Sequence, residues 1–385
     1  LRIFVFAAAY YFWQKQNSMH KYLSALLLCC HVALAQPSQD YKFLNFDNKY
    51  LINSVALAPD GATLVISTSQ GPLFFYDWQN EQVVSTVDRS TFAGPKVSYS
   101  ADGKYVLLQR QYFVDFALNK DRPAQAEVMD AGSGKVVFEK SGVHSACITN
   151  ENKFAMLSGN EISVWNLSSG AKEISFEVPD ATNAIAVSPD GKTVAVSFKP
   201  TAADIKDVPS IRDDKKAQKE ALKFRQMVAF YDLATQKRTY VTNDVFDIVY
   251  SMTYSRDGKS LWIYNVPHQK LQMSSAGRQG YINKINALNG DVGRTILMSL
   301  ATEPEYRESD NGEWMGVISI ETTWGATDVL LVYETLNGRL MKNFRMDKKL
   351  FETGGSGRTS FAFLPDGERV IIGYGNKLAL WKMPK

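Results

Sequence analysis

A tight polar turn returns along this chain at regular intervals, each time joining two apolar runs. It occurs as Asp60-Gly61, Asp102-Gly103, Asp190-Gly191, Asp257-Gly258 and Asp366-Gly367, each with a short lead-in such as Ala58-Pro59, Ser188-Pro189 or Leu364-Pro365. Weakened copies fill the long gaps, at Thr149-Asn150-Glu151-Asn152 and Ser309-Asp310-Asn311-Gly312. Asp-Gly between alternating apolar stretches is a hairpin signal: glycine takes the positive φ of the turn, and the aspartate accepts from nearby backbone N–H groups. A β-rich run ending in a large apolar residue and then a polar one follows each copy. These runs are Phe75-Tyr76-Asp77, Val128-Met129-Asp130, Val164-Trp165-Asn166, Phe230-Tyr231-Asp232, Lys284-Ile285-Asn286, Val332-Tyr333-Glu334 and Leu380-Trp381-Lys382. Most lead into a further turn, such as Ser133-Gly134, Ser169-Gly170, Asn289-Gly290 or Asn337-Gly338.

Both elements thus recur seven times, and residues 36–385 divide into units of about 50 residues, the scale of a propeller blade. The pattern resembles the WD40-like β-propeller family, most closely over Ala184–Ser197 and Val164–Ala171, in a bacterial exported form with degenerate repeats. Gly-His and Trp-Asp pairs do not occur; Trp165-Asn166 and Trp381-Lys382 stand nearest to the latter. The expected fold is all-β: a seven-bladed propeller of four-stranded antiparallel blades. The last unit ends after its third strand, whereas Tyr41–Tyr50 precedes the first repeat as an orphan strand. The simplest closure lets that N-terminal strand complete the last blade and remove its open edge.

Ahead of the repeats, Met19-His20-Lys21, an apolar run from Tyr22 to Val32 and Ala33-Leu34-Ala35 have the plan of a secretory signal peptide. The expected division is therefore an upstream extension over 1–18, a signal peptide over 19–35 and the propeller over 36–385, in a protein exported to the periplasm or secreted. Neither apolar run of the leader reaches the 18 or so residues of a spanning helix, so no stable membrane span is expected. The excess of 43 basic over 40 acidic residues consists of Arg2, Lys15 and Lys21, all in the leader. The remainder is balanced, with no general attraction for nucleic acid. Cys29 and Cys30 also fall in the leader, which leaves Cys147 as a lone thiol, expected in the core, with no disulfide partner.

Motifs for chemistry are missing. Only His144 and His268 lie beyond the leader, in different units, and there is no Cys-x-x-Cys, His-Glu-x-x-His, haem-attachment, nucleophile-elbow or phosphate-loop pattern. No catalytic residue, metal or cofactor is assigned. The recurrent aspartates are read as turn-formers.

Function is sought in the loops instead. From the glycine of the first turn to the polar residue of the third strand the interval is 14–16 residues in units one, three and seven, and 22–41 in units two, four, five and six. In an up-and-down blade all of this extra length falls on one rim, and such growth commonly carries binding. The longest insertion, 199–226, contains a helix-favouring stretch with Arg212, Lys215 and Lys216. The others bring Tyr112, Phe113 and Phe116, then His268, then Trp324. These eight residues are the candidate binding set of a non-catalytic scaffold for a protein or peptide partner. The alternative is a propeller enzyme, a lactonase-like hydrolase or quinone-dependent dehydrogenase with carboxylates or Ca²⁺ at the channel mouth, since oxygen-ligand sites leave little local trace.

Overall fold

The computed structural model describes residues 41–89, 94–111, 113–114, 117–118, 124–268, 279–299, 305–321, 327–346 and 358–383. Of the leader and its flank only Tyr41 and Lys42 are included, so the signal-peptide reading lies outside the described residues.

The strands form seven four-stranded antiparallel sheets set in a ring, a seven-bladed β-propeller. After β1 (Tyr41–Phe43) comes the first blade: β2 (Ile52–Leu57), β3 (Thr63–Thr68), β4 (Leu73–Asp77) and β5 (Gln82–Val87). The second is β6 (Lys96–Tyr99), β7 (Tyr105–Arg110), β10 (Gln125–Asp130) and β11 (Val136–Ser141), with a separate hairpin of β8 (Phe113–Val114) and β9 (Ala117–Leu118) between its second and third strands. The third is β12 (Ser145–Ile148), β13 (Lys153–Ser158), β14 (Glu161–Asn166) and β15 (Lys172–Glu177). The fourth is β16 (Ala181–Val187), β17 (Thr193–Phe198), β18 (Met227–Asp232) and β19 (Lys237–Val241), with helices α1 (Ala202–Ile205) and α2 (Lys215–Phe224) inserted after β17. The fifth is β20 (Ile248–Tyr254), β21 (Ser260–Val266), β22 (Gln279–Asn286) and β23 (Val292–Ser299). The sixth is β24 (Tyr306–Glu308), β25 (Trp314–Glu321), β26 (Thr327–Glu334) and β27 (Leu340–Arg345). The seventh is β28 (Thr359–Phe363), β29 (Arg369–Tyr374) and β30 (Lys377–Lys382), and β1 is its fourth strand.

Each repeated turn has the geometry its sequence asks for. Gly61, Gly103, Gly191, Gly258, Gly312 and Gly367 have φ between +68° and +74°, and the degenerate third copy places Asn152 at +57°. The aspartates are turn-formers: Asp60 Oδ1 accepts from the Ala62 amide at 2.8 Å, Asp190 Oδ1 from Lys192 at 3.1 Å and Asp366 Oδ1 from Glu368 at 2.9 Å. The Ser188 hydroxyl donates to Asp190 at 2.6 Å and, with the Lys192 amide, holds that carboxyl below the usual range. The third-strand polar residues organise the next turn in the same way, as Asp232 does for Thr235 at 2.7 Å. A bulge precedes or meets these residues in six blades, for example at Phe75/Tyr76, Val164/Trp165 and Val332/Tyr333.

The core lies between blades rather than within them. Inner strands such as β2 and β3 are almost wholly buried, whereas β11 alternates and β5 is largely exposed. The apolar clusters draw on successive blades: Val65, Phe75, Val106 and Leu108 join the first to the second, and Ala229, Tyr231, Val164 and Ile185 join the third to the fourth. Closure uses the same rule. The Leu44 amide donates to the Leu378 carbonyl at 3.0 Å, and Leu44 and Phe46 are buried with Ile52, Tyr76, Ile371 and Leu378. Burying two such side chains contributes roughly 3–6 kcal/mol.

Candidate functional site

The turns between first and second strands fall on one rim and the connections between second and third strands on the other. The latter are short in four blades, at 69–72, 159–160, 322–326 and 375–376, and long in three, at 111–124, 199–226 and 267–278. This corrects the sixth unit: its long interval is taken up by strand, because β25 and β26 each run for 8 residues. The other three excursions share one rim.

The insertion of the fourth blade is folded down onto the ring. The Thr201 hydroxyl accepts from the Asp204 amide and Asp204 in turn caps Thr201, which starts α1; Asp214 Oδ1 accepts from Lys216 at 2.8 Å and Ala217 at 2.9 Å, which starts α2. Ile205, Val208, Ile211 and Ala221 enter the core shared by the third and fourth blades. Polar ties add to this: Arg238 to Asp204 at 3.1 Å, the Ser210 hydroxyl to Asp244 at 2.6 Å, and Arg225 to Asp247 at 2.5 Å. Burial raises the Asp247 carboxyl above its ordinary range in spite of Arg225.

The candidate residues separate accordingly. Arg212, Lys215 and Lys216 are exposed, Arg212 lying 3.3 Å from Asp213, while the apolar side of α2 is turned inward. His268 is half-buried and lies against the Phe224 ring, centroids 4.8 Å apart. Phe113 belongs to β8, where its backbone pairs with Leu118 of β9. Tyr112, Phe116 and Trp324 lie outside the described residues. The β8–β9 hairpin leaves the second blade, and β9 comes within 8 Å (Cα to Cα) of β16, the innermost strand of the fourth. It therefore reaches across the channel side of this rim.

The channel is a cavity of about 590 Å³ walled by the innermost strands, with Lys96, Gln109, Ser145, Cys147, Ser251 and Arg307 among its lining residues. Cys147 is thus at the channel wall and half-buried, packed on the edge of the core rather than inside it, and burial pushes its thiol up to about 11. Several backbone amides of the inner strands are already used by serines of the neighbouring blade: Val55 N donates to Ser360 Oγ at 3.0 Å, Val97 N to Ser54 Oγ at 3.3 Å and Ile185 N to Ser145 Oγ at 3.2 Å. Side chains are left to set the chemistry of the wall.

Among the described residues, Lys96 and Arg358 stand at the starts of first strands, on the insertion side of the ring. Lys96 Nζ stands 5.2 Å from the centre of the Tyr250 ring, which belongs to the fifth blade. Arg358 Nη1 donates to Asn53 Oδ1 at 2.6 Å, while Asn53 Nδ2 donates to the carbonyls of Gly94 at 2.9 Å and Pro95 at 2.8 Å. Asn53, only 6% exposed, therefore positions both the guanidinium and the segment leading into Lys96. Arg358 is open to solvent, yet the walls of the mouth displace enough water to lower its pKa, and the charge of Arg110 lowers it further. Glu305 is taken by Arg307 at 2.9 Å and by the Ser360 hydroxyl at 3.0 Å. Sequence reading missed this cluster. Its only trace is positional, since Lys96 begins a first strand, Arg358 immediately precedes one and Arg110 ends a second strand.

Among the described residues no group of three or more His, Cys, Asp or Glu is placed to hold a metal ion, and no helix is long and apolar enough to cross a membrane. No protein-family model matches the chain, and no curated protein matches it either.

Proposed function

We propose that this chain is a non-catalytic exported β-propeller that binds a protein or peptide through the insertion-bearing rim. The observation that carries the reading is that the three long second-to-third-strand connections all leave from one rim, while the described turns of the opposite rim are short. The excursions differ in character: α2 is pinned to the ring with its lysines outward, and the β8–β9 hairpin extends toward the fourth blade. A fixed, one-sided surface of this kind suits recognition at low entropic cost. Export rests on the leader alone, and kinship with WD40-like repeats rests on the recurring turn and third-strand elements.

The test is affinity capture from extracts of the source organism with three folded proteins: the intact chain, a form with 200–225 replaced by a short linker, and a form with 112–123 so replaced. A partner held by the intact chain and lost from at least one shortened form supports the reading. Equal recovery by all three removes this rim from consideration.

A further inference from the structure

We propose that a second copy of this chain docks on the outer edge of the first blade, where β5 pairs with β5 of the other copy in antiparallel order and joins two four-stranded blades into one sheet. This surface lies on the circumference of the ring rather than on the insertion-bearing rim, and the inference stands without the reading given above.

Charge sets this edge apart. The outer strands of the second to sixth blades each carry a base, Lys140 in β11, Lys172 in β15, Lys237 in β19, Arg294 in β23 and Lys342 in β27, and Lys42 is the middle residue of the short β1. Charged side chains on an edge, lysine above all, keep a further strand from adding to its open N–H and C=O groups. Among the described outer strands β5 alone has no charged residue: it reads Gln-Val-Val-Ser-Thr-Val, and four of its six residues are β-branched, the type that strands favour. Its first five residues are exposed, Val83 at 42% and Val84 at 60%. A bulge leaves Val84 without a partner in β4, but bulges recur at this place in six blades, so the missing charge is what distinguishes β5.

The occupant follows from what such an edge can accept. Among the described residues the backbone of β5 is paired with β4 alone, which leaves its outer side for another strand. Two identical strands in antiparallel order give and receive the same surface, so one such edge per chain closes at two copies. Centred on Ser85, the pairing sets Val84 of one copy beside Thr86 of the other, and the Gln82 amide beside the carboxylate of Asp88 just past the strand, with no like charges opposed. A centre between Val84 and Ser85 would instead oppose Glu81 to Asp88, two acids. The edge is also fixed in advance: the Glu81 carboxylate accepts from the Asn45 amide at 2.9 Å before the strand, and Arg89 pairs with Glu127 after it. One strand per copy buries far less than the roughly 1,600 Å² of a standard interface, so the dimer is weak and forms in the micromolar range or above.

Sedimentation equilibrium of the full chain, from low-micromolar to submillimolar concentration, tests this. The parent should pass from monomer to dimer and no further. V84K and V84E, at an exposed position, should each weaken association at least about tenfold, because like charges then meet across the two-fold axis. An equimolar mixture of V84K and V84E should recover association, a result that damage to the fold cannot produce. L336K, at a leucine of the sixth blade that is 81% exposed, should associate as the parent does. Amide exchange over 82–87 should slow as the parent is concentrated and not as V84K is. The proposal is overturned if the parent stays monomeric over the whole range, if it assembles past the dimer, or if V84K and V84E, shown to be folded by thermal unfolding, associate as tightly as the parent. A monomeric parent that takes up a foreign strand at β5 would assign the edge to another chain and overturn it equally.

Discussion

Gly61 of the first blade lies so close to Pro365 of the seventh that a Cβ there would sit 2.7 Å from the proline Cγ. The contact repeats around that rim in a looser form, with Gly103 against Pro59 at 3.3 Å and Gly258 against Pro189 at 3.4 Å. The proline of one turn thus packs on the glycine of the next. Gly61 also has φ +73°, so Gly61→Ala meets both backbone strain and a collision at the ring's seam. It should destabilise by about 2–4 kcal/mol. Gly170→Ala, with φ +71° and nothing within 4 Å, should cost only about 1 kcal/mol. Urea unfolding of the two variants separates strain from collision; equal losses would show that the proline contact contributes nothing.

Phe46 is 3% exposed and lies edge-on to Phe74 and Tyr76, with centroids 5.4 and 5.3 Å away. Phe46→Ala should cost about 3–5 kcal/mol by leaving a cavity at the closure between the last and first blades. Removal of residues 36–50 should lower the thermal midpoint further, because it takes away Leu44 and the pairing to Leu378 as well. An unchanged midpoint in the truncated chain would contradict closure by the N-terminal strand.

The turn carboxylates give stability a defined dependence on pH. Hydrogen bonds from Ser188 and Ser255 are the leading causes that hold Asp190 and Asp257 below their ordinary range. A lowered folded-state pKa contributes stability that is complete above the unfolded value of about 3.9 and is lost as pH falls through the folded value. Each is solvent-screened, so each contributes about 0.5 kcal/mol or less. Asp247, raised mainly by burial, acts with the opposite sign: its contribution is present at low pH and is lost as pH rises through its folded value. Asp190→Asn, which keeps an acceptor oxygen, should change stability little at pH 7 and flatten the loss below pH 4, as read by denaturant midpoints across pH 2–7.

The Phe224–His268 contact joins α2 to the excursion of the fifth blade. Phe224→Ala should loosen this corner without opening the ring, with a global loss of about 1 kcal/mol and faster amide exchange over 211–224. Exchange unchanged over α2 would show that the core contacts of Ile211 and Ala221 and the polar ties hold the insertion without this ring contact.

The ring was legible in the sequence because its signals are local: Asp-Gly turns, the third-strand aromatic and polar pair, and the orphan strand before the first repeat each act over a few residues. Loop length was less so. An interval counted from glycine to third-strand polar residue cannot separate a longer strand from a longer loop, and the sixth blade used the residues as strand. Cys147 misled because an inner strand has two kinds of apolar surroundings, the wedge between blades and the channel wall, and its flanking Ala146 and Ile148 fit either. The surroundings of Lys96 and Arg358 were invisible, since Asn53, which accepts from Arg358 and donates to the segment before Lys96, comes beside the seventh blade only when the circle closes. Superposing the seven units at their first-strand starts would have brought the two bases into neighbouring columns.

Interiors shared between neighbours bear on how such a molecule changes over generations. A single unit could be duplicated or lost only if two mating faces were remade at once and the circumference rescaled. Letters within a unit, in contrast, drift one face at a time, as the glycine-free third turn at Asn152 illustrates. The number of units is therefore the slow variable in this architecture and their spelling the fast one, so a chain can keep its sevenfold plan long after its repeats have ceased to resemble one another.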